Sequence, residues 1–299
     1  MSRIGVLAWR WIFESGDAKR LAKQKQDLSD LIIQKDIAYR NDGDQGHLFD
    51  IYRLPDTDET APVMINIHGG GLFASYKEVN ANFNYEWARM GYRVVSISYR
   101  RIPETTLWHQ IDDVMAALRY IDKNSAQLGL NTKRCFLTGD SAGALLCLFT
   151  LAVNNSSAIR KDFGIQGTDI HFRACGLISI MIDTQRKGML HALSDQVTGR
   201  SDVGKPYEKY LLNPSSLIGM FEMPPVYQAT SSEDLIREDS LKVERLLTEA
   251  GTEHILKDFE KGKDRKLVHV FPVAYPMYPE SREVFREMDA FFRAHETEE

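Results

Sequence analysis

Arg134-Cys-Phe-Leu-Thr-Gly-Asp-Ser-Ala-Gly-Ala-Leu-Leu-Cys-Leu-Phe-Thr150 reads as a short apolar strand, an abrupt turn, and then a helix of small and apolar residues. The turn, Gly139-Asp140-Ser141-Ala142-Gly143, has the pattern G-x-S-x-G. A serine on a tight strand-to-helix corner carries its hydroxyl clear of the backbone. Glycines two residues to either side let strand and helix approach closely. The N-terminus of the following helix favours negative charge, as an acyl-transfer transition state requires. A plain turn with a helix cap accounts for the same five residues, since Asp and Ser are both good N-caps. The rest of the chain has to decide.

Upstream, the apolar run 61–67 feeds directly into His68-Gly69-Gly70-Gly71. Three consecutive glycines after a buried strand are costly in chain entropy, so the backbone there must approach something closely or aim its N–H groups at it. A phosphate cradle is one candidate, but neither G-x-x-x-x-G-K-[ST] nor G-x-G-x-x-G is present. A donor loop for a developing oxyanion is a second and fits an activated serine elsewhere in the chain; a flexible turn is the third. Segments 46–54, 61–67, 92–99, 174–182, 225–230 and 254–259 read as further strands. Helices are expected at 82–90, over Ile111, Val114, Met115, Leu118 and Ile121, and at 240–250 and 280–294. This alternation predicts an α/β fold. Its central sheet is mostly parallel, of about eight strands, with helices on both faces and functional residues at the strands' carboxyl ends.

Residues 1–40 read as an amphipathic helical region with Val6, Leu7, Trp9, Ile12 and Phe13 on its apolar side. Packing over the body as part of a lid is the favoured reading, and membrane-surface binding is the rival. Residues 184–222 break the strand rhythm, with helix-like pieces around His191 and 207–212, and read as an insertion into one domain spanning 1–299.

The chain has 299 residues and a net charge of −5, and no Lys/Arg run is interleaved with aromatics, so nucleic acid is not an expected partner. No apolar run reaches the roughly 18 residues that span a bilayer. The stretch 4–13 is broken by Arg10 and lacks a cleavage site for a secretory signal. Cys135, Cys147 and Cys175 lie in apolar runs without metal spacing. They read as reduced core thiols of a cytoplasmic protein, with no metal and no dissociable cofactor. Composition is compatible with a homo-oligomer and does not specify one.

A serine hydroxyl is a weak nucleophile until a base takes its proton and an acid orients the base. In sheets built on such an elbow the chain order is Ser, then Asp or Glu, then His. His47, His68 and His109 precede Ser141, and His171 and His191 precede the late strand best placed to deliver the acid. His254 opens a strand and His295 sits in the tail, which leaves His269 in Lys266-Leu-Val-His-Val-Phe271. Asp234 lies a few residues beyond the strand 225–230, with Glu233 as runner-up. Asp239 opens the next helix, where capping is explanation enough.

These residues together resemble the hormone-sensitive-lipase-like esterase family of the α/β-hydrolase fold. The resemblance covers about residues 45–294. It rests on His68-Gly-Gly-Gly71, Ser98-Tyr-Arg-Arg-Ile-Pro-Glu104, Gly139-Asp-Ser-Ala-Gly143, Asp234-Leu-Ile-Arg-Glu and His269-Val-Phe271, in that order. It implies that Ser141 is the nucleophile and that Asp234 and His269 complete a triad. The backbone N–H groups of Gly70, Gly71 and Ala142 would form the oxyanion hole, and His68 would shape the glycine loop. It also implies a helical cap from about 1–40 and 184–222. The implied activity is a serine carboxylesterase acting on small or short-chain, acetyl-like esters. An amide or formamide hydrolase with the same triad is the alternative. A third reading is a non-catalytic ligand-binding relative, against which His269 argues. Three departures bear on substrate: Asp234-Leu-Ile for D-P-L, Leu107-Trp-His109 where F-P is usual, and Leu72-Phe-Ala-Ser-Tyr76 without a later glycine. Leu72, Phe73, Tyr76 and Trp108 would stand near the site, either shortening an acyl pocket or packing in core and cap.

Overall fold

The computed structural model describes residues 3–185 and 197–296. Eight strands form one sheet: β1 (Ile32–Ala38), β2 (Leu48–Arg53), β3 (Val63–Ile67), β4 (Arg93–Ile97), β5 (Cys135–Asp140), β6 (Phe172–Ile178), β7 (Val226–Ser231) and β8 (His254–Phe259). Their spatial order is β1-β2-β4-β3-β5-β6-β7-β8. The pairs β1/β2 and β2/β4 are antiparallel, and every pair from β4 through β8 is parallel. Strands β3, β4 and β5 are buried along their whole length, as near-continuous runs of apolar residues in a sheet covered on both faces should be.

Two apolar layers flank the sheet. One holds α3 (Leu107–Lys123), which runs on into the single turn α4 (Ser125–Leu128), and α5 (Ala142–Asn155), with Ile111, Met115, Leu118, Leu145, Leu148 and Phe149 all closed to solvent. The other holds α2 (Ala81–Arg89) and the final helix Pro279–Ala294, where Phe83, Trp87, Phe285 and Phe292 pack together. Each such side chain contributes about 1.5–3 kcal/mol by leaving water. Only Asn155 of α5 is exposed, which is why its sequence shows no polar face.

The chain diverges from its sequence pattern in three places. Residues 1–40 are not one helical region: α1 (Arg3–Lys23) ends well before β1 begins. β1 is an edge strand whose register shifts between Gln34 and Ile37, where Asp36 takes φ 57° and donates its N–H to Asp50 at 2.8 Å. That bulge breaks the period-two signal and hides the strand among charged residues. Residues 157–163, polar by sequence, form the helix α6 (Ser157–Phe163), capped by the Ser156 hydroxyl at its start and closed by Gly164 at φ 66°. In the expected insertion, Glu208–Leu212 is helical, while the piece around His191 lies outside the described residues.

Candidate active site

β3 has β4 on one side and β5 on the other, so consecutive connections leave it in opposite directions and open a crevice at the carboxyl ends. The glycine run follows β3, Ser141 follows β5, Asp234 follows β7 and His269 follows β8. Four distant segments therefore meet at one rim of the sheet.

Ser141 turns the corner with φ 52° and ψ −117°, a backbone geometry few side chains adopt. The corner closes because its glycines leave no room for anything larger. A Cβ on Gly139 would lie 2.6 Å from the Gly143 backbone, and one on Gly143 would run into the carbonyl of Ile67. The Ser141 N–H donates to the Ile178 carbonyl at 2.9 Å, fixing the corner to β6.

His269 Nε2 stands 2.9 Å from Ser141 Oγ and its Nδ1 stands 2.8 Å from Asp234 Oδ1. Burial alone would raise the Asp234 pKa, but the hydrogen bonds from His269, Ser179 and the Ile236 N–H bring it below the ordinary carboxylate value. An ionised carboxylate only accepts, so Nδ1 carries the imidazole proton and Nε2 is free to accept from the serine hydroxyl. Glu233 points elsewhere: its carboxylate accepts from the N–H groups of Leu267 and Gly262 and braces the loop carrying His269. Asp239 stands in the first turn of the helix Arg237–Glu249, and its Oδ2 also accepts from the N–H groups of Ile182 and Asp183.

His68 is fully buried, stacked on Tyr99 with ring centroids 4.4 Å apart, and donates Nδ1–H to the Gly69 carbonyl. Burial pushes its pKa down to about 4, so it sits there neutral, shaping the loop. Gly70 at φ 114° and Gly71 at φ 61° then reverse the chain, and a Cβ on Gly71 would meet the Phe73 ring at 2.6 Å. Ala142 is the first residue of α5, beside the serine.

Ser141 and His269 open into a cavity of about 250 Å³ lined by Gly70, Gly71 and Phe73, with Val79, Met181, Leu235, Ile236 and Val273 among its apolar walls. α1 adds Phe13, Asp17 and Arg20 to that lining. Arg10 anchors the helix there, donating to the carbonyls of Phe73 and Ile102 at 2.6 Å each and to both Glu104 oxygens. Of the other residues singled out near the site, Leu72 is 2% exposed in the core. Tyr76 lies under the Arg101 guanidinium, and Trp108 donates to the Phe163 carbonyl and packs beside Tyr207. None of the three lines the cavity, and neither does any described residue of 184–222.

The BD-FAE family model matches residues 49–213, a span holding the glycine run and Ser141. Carboxylesterase NlhH of Mycobacterium tuberculosis is 26% identical over 218 residues, covering 67% of this chain and 65% of its own. Esterase LipI of the same organism is 28% identical, covering 66% of this chain and 62% of its own. The matched stretch is thus just under two thirds of these relatives' length. Among solved structures, esterase B from Lactobacillus rhamnosis, determined with a C4-C4 tributyrin phosphonate, superimposes with a TM-score of 0.91 at 25% identity. That match covers 98% of this chain and 94% of the other.

Proposed function

From the premise that the chain belongs to the BD-FAE family, whose model matches more than half of it, we propose that it is a carboxylic ester hydrolase acting on small or short-chain esters through Ser141, His269 and Asp234. The observation that carries this reading is the unbroken hydrogen-bond chain from Ser141 Oγ through the imidazole to Asp234, opening into an apolar cavity. At about 250 Å³ the cavity is below the roughly 300–1,000 Å³ of drug-sized sites, which favours a short acyl chain. The names of NlhH, LipI and esterase B, and the tributyrin phosphonate on the last, support the same substrate class.

Chemically, His269 Nε2 takes the proton as Ser141 Oγ bonds to the ester carbonyl carbon, and the carbonyl π electrons move onto oxygen. Gly70, Gly71 and Ala142 N–H groups receive that oxyanion, one such donor being worth about 2.7–4 kcal/mol. Asp234 keeps the imidazole in the useful tautomer and stabilises the imidazolium. The imidazolium then gives its proton to the departing alkoxide, leaving an acyl-enzyme. Water, deprotonated by the same imidazole, releases the acid and restores Ser141. Purified Ser141→Ala protein should lose p-nitrophenyl acetate hydrolysis by about 10,000-fold or more in kcat. Retention of a tenth of the wild-type rate would remove Ser141 from the mechanism. An acyl series from acetate to decanoate should peak at the short end.

A further inference from the structure

Asp140, the residue before the nucleophile, is a buried carboxylate that the reaction above does not use. Its Oδ1 accepts from the Gly69 N–H at 3.0 Å and from Asn80 Nδ2 at 2.7 Å. Asn80 is itself 1% exposed, and its Nδ2 also donates to Asn66 Oδ1 on β3 at 2.9 Å. The chain Asn66–Asn80–Asp140–Gly69 thus runs beneath the glycine loop and ties it to β3 and to the elbow. Gly69 has no slack against it, since a Cβ there would collide with the Asp140 carboxylate.

Both donors to Asp140 are neutral amides. A buried carboxylate held without a cationic partner is costly unless its hydrogen bonds are kept. Burial raises the Asp140 pKa, the bonds from Asn80 and Gly69 oppose that rise, and of the charged groups nearby His269 lowers it while Asp17 of the first helix raises it. If Asp140 takes up a proton, the bond from Gly69 loses its charge assistance and weakens, and if the side chain swings away Gly69 loses its acceptor altogether. The loop that must present Gly70 and Gly71 to the oxyanion is then freed at its first residue.

We propose that Asn80 is a positioning residue of the oxyanion loop: its side-chain amide holds the Asp140 carboxylate, and that carboxylate holds Gly69 and the two glycines behind it. This deepens the ester-hydrolase reading and rests on it. Asn80 lies in none of the sequence motifs; it borders the cavity with Asp140, and its amide is bonded to Asn66 and Asp140. Its contribution enters through loop geometry, where an error of about 1 Å costs on the order of 100-fold in rate.

The test is steady-state hydrolysis of p-nitrophenyl acetate across pH by wild type, Asn80→Ala, Asp140→Asn and the double variant, with Ser141→Ala alongside and Tm for each. Asn80→Ala should lower kcat by about 10- to 100-fold with KM within about threefold, because the oxyanion forms only in the transition state. Its acid limb should move to higher pH, since Asp140 loses a donor that favours its charged form. Asp140→Asn keeps an oxygen for Gly69 but cannot titrate, so in that background Asn80→Ala should leave the acid limb where it is. Should Asn80→Ala not fold, Asn80→Asp fills the same space and donates only when protonated, so its kcat should fall as pH rises. Wild-type kcat in Asn80→Ala, an unmoved acid limb, or a wild-type pH profile in Asn80→Asp overturns the proposal. Turnover that survives Ser141→Ala defeats the ester-hydrolase mechanism itself, a different result from Ser141-dependent turnover indifferent to Asn80.

Discussion

At Ser141 the backbone angles, rather than any contact of the side chain, set the terms. The corner exists because Gly139 and Gly143 remove every Cβ that would hold strand and helix apart. Gly143→Ala should therefore cost about 1–3 kcal/mol or more by overpacking against the Ile67 and His68 backbone. It should be seen as a fall of several degrees in Tm together with lost activity; an unchanged Tm would contradict the account. Ser141, Asp234 and His269 are legible in the sequence because the proposed acyl-transfer chemistry calls for those residue types and the sheet dictates their order. Asn80 is not legible. Its role arises only when a residue 60 positions from Asp140 is folded against it, and no spacing rule encodes that. Tyr76 and Trp108 mislead for the reverse reason: nearness in sequence to the glycine run and the Pro-Glu loop does not decide which way a ring faces. Tyr76 turns to Arg101 and Trp108 to Phe163 and Tyr207.

Among the elements, α1 has the most unusual attachment. Arg10 is 8% exposed and spends its guanidinium on two backbone carbonyls and a carboxylate of the loops framing the cavity. Glu14 adds bonds from the Ser75 N–H and the Arg101 guanidinium. Hydrogen bonds to a charged group are worth about 1.5–3 kcal/mol each, so Arg10→Ala should loosen the helix and leave the Phe73 and Ile102 carbonyls unpaired. Limited proteolysis should then cut faster within residues 3–23, and KM for the short ester should rise; wild-type protection would argue that the Arg10 bonds are dispensable. Most buried strands are readable from their β-branched runs. β1 is not, because an edge strand needs few apolar residues and its bulge at Asp36 breaks the alternation. α6 escapes notice because a seven-residue helix with only Ile159 and Phe163 buried shows too little periodicity.

For the whole molecule, stability should follow pH through a few buried ion pairs. Burial alone would lower the pKa of His47, but hydrogen bonds to Asp113 and Asp42 more than offset it and leave it above 6.5. Arg100 pairs with Asp113 from the other side, and Asp113 is held below 3.8. The signs follow directly. A raised histidine adds stability that is complete below about pH 6.5 and fades as pH rises through its folded value. The lowered Asp113 and Asp234 add stability that is present above the ordinary carboxylate value and fades as pH falls. Tm should be highest in mild acid, and His47→Gln should flatten its decline above pH 6.5; an unaltered slope would exclude His47 as the source. The attachment of α1 has one more consequence, for how selectivity can be altered. Phe13, Asp17 and Arg20 reach the cavity as side chains of a single helix, while the hydrogen bonds linking Ser141, His269 and Asp234 pass entirely through segments that follow β3. The first helix thus adds to one wall of the cavity from outside that hydrogen-bonded line, and substitutions at Phe13, Asp17 and Arg20 should reshape the cavity while leaving those bonds in place.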